Sequence, residues 1–186
     1  MISGRLRKTY LQVDLGALKD NITAQREALP AGSKILAVVK ANAYGNGLVP
    51  VAQAALAAGA TGTCVAILDE GLELRDQGIT SLILVLGITP VEYAHFAAEN
   101  DISLTVGDLD WLNQYHHLAQ VNHWTKPLKV HLGIDTGMGR IGFTKVEELH
   151  QAVEILQSPE FEFVGIFTHF ATADSSDDTY FTKQVH

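Results

Sequence analysis

Ile35-Leu36-Ala37-Val38-Val39-Lys40-Ala41-Asn42-Ala43-Tyr44-Gly45-Asn46-Gly47 is the stretch on which the reading of this chain turns. An unbroken apolar run ends on a lysine, and a tyrosine follows inside a loop of small residues. Such a run, without polar alternation, suits a strand buried on both faces of a parallel sheet. Its last residue then stands at the carboxyl end of a strand, where α/β sheets and barrels place their chemistry. A lysine there presents an amine, and an amine condenses with an aldehyde to a Schiff base. Ala41, Ala43, Gly45 and Gly47 let the backbone pass close to a ligand. Tyr44 offers a hydroxyl to an anion, and Asn42 or Asn46 could do the same. The plainer alternative is a strand-terminal lysine reaching into solvent.

Outward from that strand, the pattern alternates. Residues 9–14 alternate apolar and polar and predict a short N-terminal strand; Asp14 then caps a helix with Leu15, Leu18, Ile22 and Leu29 at helical spacing. Strands are expected over 63–68, 82–86, 102–106, 128–134 and 161–168. Helices are expected between them, over 49–60, 69–77, 90–100, 108–121 and 146–157, with a further helix starting in 177–186. Strands alternating with helices imply a mainly parallel sheet with right-handed crossovers. A doubly wound sheet and a (β/α)8 barrel both fit. No Gly-x-Gly-x-x-Gly follows the first strand, which weakens a dinucleotide-binding version.

Composition narrows the partners. The chain has 186 residues, 47% of them hydrophobic, ample for a core. Its formal charge of −8 argues against nucleic acid and anionic membranes as partners. No apolar run approaches the roughly 20 residues of a membrane span, and no signal-type apolar core follows the basic residues 1–8. The single cysteine, Cys64, excludes an internal disulfide and reads as a small apolar strand residue.

Residues 37–47 resemble the pyridoxal-phosphate attachment motif of bacterial alanine racemases. Leu68-Asp69-Glu70-Gly71, Ile83-Leu84-Val85-Leu86-Gly87, Asp135-Thr136-Gly137-Met138-Gly139-Arg140-Ile141-Gly142 and Thr168-His169-Phe170-Ala171-Thr172-Ala173-Asp174 resemble further landmarks of that family, in the same order. The resemblance runs from Thr9 to the end of the chain and implies an α/β fold of the (β/α)8 TIM-barrel type. The pattern supplies about six βα units. The expectation is therefore a barrel truncated to that number, residues 1–186 being the front part of a longer protein with a C-terminal β domain beyond it.

The resemblance also implies roles. Lys40 would carry pyridoxal 5'-phosphate and serve as a base toward the α-proton of alanine. Tyr44, Leu86, Arg140 and His169 would contact the cofactor; Arg140 and Asp174 would contact the substrate or its entry channel. The second acid/base would be a tyrosine from a partner subunit, outside this chain. A cytoplasmic homodimer supplying D-alanine to the cell wall is the implied setting, with serine or broad-specificity racemases, decarboxylase relatives and a non-catalytic cofactor-binding remnant as neighbouring readings.

Each residue also has a plainer reading. Arg140 could pair with Asp135 at the surface, His169 could be a core histidine, Asp174 a helix cap and Leu86 ordinary core. His116, His117 and His123 lack carboxylate or cysteine partners at ligand spacing and read as surface residues. Asp174, Asp177 and Asp178 lack calcium-loop spacing, so no metal is expected. One position departs from the resemblance: family members often have a lysine, carbamylated and orienting the arginine, where this chain has Gly133.

Overall fold

The computed structural model describes residue 6 and residues 8–186. Six strands form one parallel sheet: β1 (Leu36–Val38), β2 (Gly62–Val65), β3 (Leu82–Val85), β4 (Ser103–Val106), β5 (Leu128–Ile134) and β6 (Phe161–Thr168). Each strand pairs with its sequence neighbour in the order β1-β2-β3-β4-β5-β6. A doubly wound sheet would reverse direction at a switch point; this sheet never does, so it has the winding of a (β/α)8 barrel. It is not closed. β1 and β6 remain its edges, and Val38 on β1 and Phe163, Val164 and Ile166 on β6 are exposed there.

Helix α1 (Leu15–Ala28) precedes β1; after the strands come the short left-handed turn α2 (Lys40–Tyr44) and the helices α3 (Leu48–Ala57), α4 (Leu68–Asp76), α5 (Ala94–Glu99), α6 (Leu109–Val121), α7 (Val146–Ile155) and α8 (Thr179–Val185). Val39, Val65, Val85, Leu104, Val106, Val130 and Leu132 belong to the main core, packed with helix residues such as Leu48, Leu74, Leu112 and Ala152. The register places Cys64 beside Leu84, and Thr105 beside His131, on the opposite face of the sheet. These residues are buried too. Cys64 is a strand residue whose thiol burial pushes up to about 11, an inert group.

Four expectations are corrected. Residues 9–14 form no strand; Tyr10 and Leu11 stand 79% and 73% exposed. Alternation makes a strand only where a ladder partner exists, and among the described residues none pairs with this segment. Asp14 does cap α1, its Oδ1 accepting from the Gly16 and Ala17 amides at 2.8 and 3.0 Å. The helix stops at Ala28, because Leu29 precedes Pro30 and takes an extended backbone. The helix expected over 90–100 divides into a 3-10 turn, Val91–Tyr93, and α5. His116 is also not a plain surface residue: its side chain is 31% exposed and its Nδ1 lies 3.4 Å from Glu160 Oε2.

Candidate active site

Lys40 begins a turn whose backbone is left-handed. Ala41, Asn42, Ala43 and Tyr44 hold φ between 52° and 56°. Left-handed helix costs an L-residue about 1–2 kcal/mol each, so neighbouring bonds must hold it. They do. Asn42 Oδ1 accepts from the Leu48 amide at 2.8 Å, and Asn46 Nδ2 donates to the Ala43 carbonyl at 2.9 Å. The Ala43 amide donates to the Val39 carbonyl at 2.7 Å. Glu70 Oε1 accepts from the Asn42 amide at 3.4 Å, while its other oxygen accepts from the Ala66 amide at 2.8 Å. Asn42 and Asn46 are thus builders of the turn, Asn42 through its carbonyl oxygen and Asn46 through its amide nitrogen. Glu70 ties the end of β2 to the Lys40 turn. Its place three residues into a helix start was a legible signal for the local bond at the start of α4, not for the bond to the Asn42 amide.

The glycine-rich loop after β5 is organised by Asp135. Its Oδ1 accepts from the Gly137 and Gly139 amides, both at 2.9 Å, and its Oδ2 from the Arg140 amide at 2.7 Å. The loop then folds back: the Phe143 amide donates to the Gly133 carbonyl at 2.9 Å, and the Asp135 amide to the Phe143 carbonyl at 3.0 Å. Gly142 sits at this crossing with φ of 129°, where a Cβ would lie 2.6 Å from the Asp135 nitrogen. Glycine is required there on both counts. The surface pairing of Asp135 with Arg140 does not form: among the described residues no ion pair includes Arg140. The carboxylate binds the arginine's backbone and leaves the guanidinium free. At Gly133 a Cβ would meet Thr105 Cγ2 at 3.5 Å, ordinary contact, so the site has no steric demand for glycine.

The amides of Gly139 and then Gly137 hold the Asp135 carboxyl below its ordinary value. A depressed value means the loop's contribution to stability is complete above the ordinary 3.8 and is lost as pH falls through the lower folded-state value. Asp135→Asn keeps one acceptor oxygen and loses the other. Protection of the Arg140 amide, taken against the unstructured exchange rate at the same pH, is expected to fall at least several-fold in this variant, as it should in the wild type on acidification below that range. Unchanged exchange in Asp135→Asn would show that the loop does not depend on the carboxylate.

The carboxyl ends of the strands enclose a cavity of about 250 Å³. Lys40 from the end of β1, Leu86 from β3, Arg140 from the Asp135 loop and His169 from the end of β6 all line it. Its other walls include Ile134, Met138, Ile141 and Phe167. Lys40 and Leu86 are half-buried; Arg140 and His169 are exposed. Tyr44 and Asp174 are not in this lining. Tyr44 lies on the left-handed turn, 64% exposed, and Asp174 lies exposed in the loop after β6. Phe167, Met138 and Ile141 had no site signal in the sequence beyond an apolar strand or loop position. The arrangement combines an amine, an unpaired guanidinium and an imidazole around apolar walls. That set suits a flat, conjugated aldehyde with an ionised oxygen.

The family described as alanine racemase, N-terminal domain, matches residues 13–186. The alanine racemase of Limosilactobacillus reuteri is 68% identical over 185 residues, covering 100% of this chain and 49% of that protein. The crystal structure of alanine racemase from E. faecalis is similar with a TM-score of 0.93 and 46% identity, over 99% of this chain and 50% of that one. A histidine racemase from Leuconostoc mesenteroides is also similar, with a TM-score of 0.86 and 36% identity over 92% of this chain and 45% of that one. The chain spans about half the length of the curated relatives it matches.

Proposed function

This chain belongs to the alanine racemase N-terminal domain family, and on that premise we propose that it is the cofactor-bearing portion of a racemase that interconverts L- and D-alanine. The observation that carries this reading is the convergence of Lys40, Arg140 and His169 on one cavity. The residues fit pyridoxal 5'-phosphate: Lys40 would supply the amine for its aldehyde and Arg140 a cation for an ionised oxygen, and Leu86 and His169 would hold it in the cavity. When bound, the cofactor withdraws electrons from the substrate's α-carbon and so acidifies its proton.

The chain's own residues then have distinct tasks. Lys40 Nζ takes or returns the α-proton on one face. Arg140 has no carboxylate partner among the described residues, so its fork is available to bind the substrate carboxylate. Asp135 fixes the backbone from which that fork projects. Leu86, Ile134 and Phe167 keep water from the cavity wall. Tyr44 and Asp174 are proposed for outer contacts, the first toward an anionic group of the cofactor, the second at the substrate's approach.

Proton removal on one face and return on the other needs a second acid/base. In this reading a partner subunit of a homodimer provides it, in the bacterial cytoplasm. The isolated 186-residue chain is expected not to racemise alanine, and turnover by it would refute that expectation. No helix among the described residues is long and apolar enough to cross a membrane.

Borohydride reduction in the presence of pyridoxal phosphate, with peptide mass mapping, tests the site. A near-stoichiometric adduct on Lys40 is expected, and label scattered over surface lysines refutes the reading. Rates of the whole protein on alanine, serine and histidine separate the substrates. The likeness to a histidine racemase favours a second reading, another amino-acid racemase on the same cofactor site; alanine turnover below that of another amino acid would select it.

A further inference from the structure

Two loops deliver Arg140 and His169 to the cavity. Helix α8 joins them. Gln184, on α8, is 7% exposed, and its carboxamide makes three hydrogen bonds. Nε2 donates to Thr136 Oγ1 at 3.0 Å and to the His169 carbonyl at 3.1 Å; Oε1 accepts from the Ala171 amide at 2.9 Å. One turn earlier on the same helix face, Tyr180 donates its hydroxyl to the Gly137 carbonyl at 2.7 Å. Thr136 Oγ1 also bonds Thr168 Oγ1 at 2.8 Å. A Cβ on Gly137 would come within 2.7 Å of the Tyr180 hydroxyl, so the loop is shaped to receive it.

We propose that Gln184 is a positioning residue that sets the mutual placement of Arg140 and His169, by bonding the glycine-rich loop and the loop after β6 to one buried carboxamide. A residue that only anchored a helix would need one partner. Gln184 instead brackets His169, at its own carbonyl and at the amide two residues on, and reaches across to Thr136, next to the carboxylate that holds Arg140. A buried carboxamide makes such bonds in low dielectric, where leaving a partner unpaired is costly. The two loops therefore move together or not at all.

The proposal rests on the cofactor reading of the cavity, and the experiment keeps the two apart. In the whole protein, Gln184→Leu preserves side-chain bulk and removes all three bonds. Gln184→Glu keeps the acceptor for Ala171, accepts from the Thr136 hydroxyl in place of donating to it, and loses the donor to the His169 carbonyl. Amide exchange is measured over 135–142 and 168–174, with no cofactor added. Both segments are expected to exchange at least tenfold faster in Gln184→Leu, and Gln184→Glu to fall between Gln184→Leu and the wild type in both. Acceleration in one segment only, or in neither, overturns the proposal whatever the cavity binds.

The second readout is the visible circular dichroism of pyridoxal phosphate bound at Lys40, per mole bound. It reports ring placement, which a merely structural loss of folded protein would not change. A changed signal per bound cofactor is expected in Gln184→Leu, with partial recovery in Gln184→Glu. An unchanged signal in a variant that still binds overturns the positioning role. Failure of the wild type to bind pyridoxal phosphate refutes the cofactor reading instead, and the exchange result then decides the coupling by itself.

Discussion

Lys40→Ala is expected to abolish borohydride trapping of pyridoxal phosphate and to lower racemisation by the whole protein roughly a thousandfold or more. The size follows from two losses at once. The variant has no amine to condense with the aldehyde and no base on that face of the α-carbon. The fold should not suffer. Lys40 enters no ion pair among the described residues, and alanine matches the Ala41 and Ala43 that follow. Lys40→Arg is the sharper control. It keeps a cation at the end of β1, but a guanidinium stays protonated and does not condense. It should therefore fail as completely as Lys40→Ala. An added primary amine of small size should restore part of the rate in Lys40→Ala and none in Lys40→Arg, whose side chain fills the space. Measurable trapping at another single residue in Lys40→Ala, with turnover retained, would remove Lys40 from the mechanism.

Of the residues lining this cavity, Lys40 was legible from its place at a strand end; the roles of Leu86, Arg140 and His169 came from the resemblance, and Arg140 stands in a loop beyond β5. Lys40 closes a run of apolar residues, and His169 and Leu86 close others. In a singly wound parallel sheet all carboxyl ends face one way, so residues far apart in sequence meet. Whether the sheet was singly or doubly wound was not legible in the alternation of elements; the resemblance alone implied the barrel. Both arise from the same alternation, and only the pairing order, with every strand beside its sequence neighbour, distinguishes them. The strand expected over 9–14 failed for a related reason, since a ladder partner is a non-local fact.

Backbone conformation was the other blind spot. Nothing in Ala41, Ala43 or Tyr44 favours positive φ; propensity opposes it, and the turn exists because Asn42, Asn46 and Glu70 bind its backbone. Asp135 is an intermediate case. An aspartate with glycines two and four positions on is a turn signal, but that the carboxylate takes the Arg140 amide rather than its guanidinium depended on the fold-back at Phe143. A lone glutamine such as Gln184 in a short helix carries no sequence signal at all.

Arg75→Ala should destabilise the protein by about 3–5 kcal/mol, a large part of what a domain has. Arg75 lies at the amino-end rim of the sheet, away from the cavity. Its Nε donates to the Asn100 carbonyl at 2.8 Å, Nη1 to Ile79 and Ser81 at 2.6 and 2.8 Å, and Nη2 to Asp101 at 2.5 Å. One guanidinium thus satisfies four carbonyls at the entries to β3 and β4. The Asp101 carboxylate, 3.8 Å away, adds little at 61% exposure. Burial lowers the Arg75 value, partly offset by Asp101, as expected of a cation held for its donors. Truncation would leave those carbonyls without their donor, and the bonds to Asn100, Ile79 and Ser81 are part-buried. Arg75→Lys retains charge but offers three donors from one point instead of a planar fork, so about half the loss should remain. Denaturant unfolding of the two variants measures both. The folded fraction of each should still trap pyridoxal phosphate at Lys40, because the rim and the cavity occupy opposite ends of the strands. A loss below about 1 kcal/mol in Arg75→Ala would mean that water replaces the fork, and equal stability of Arg75→Lys and wild type would mean that charge, not geometry, holds the rim.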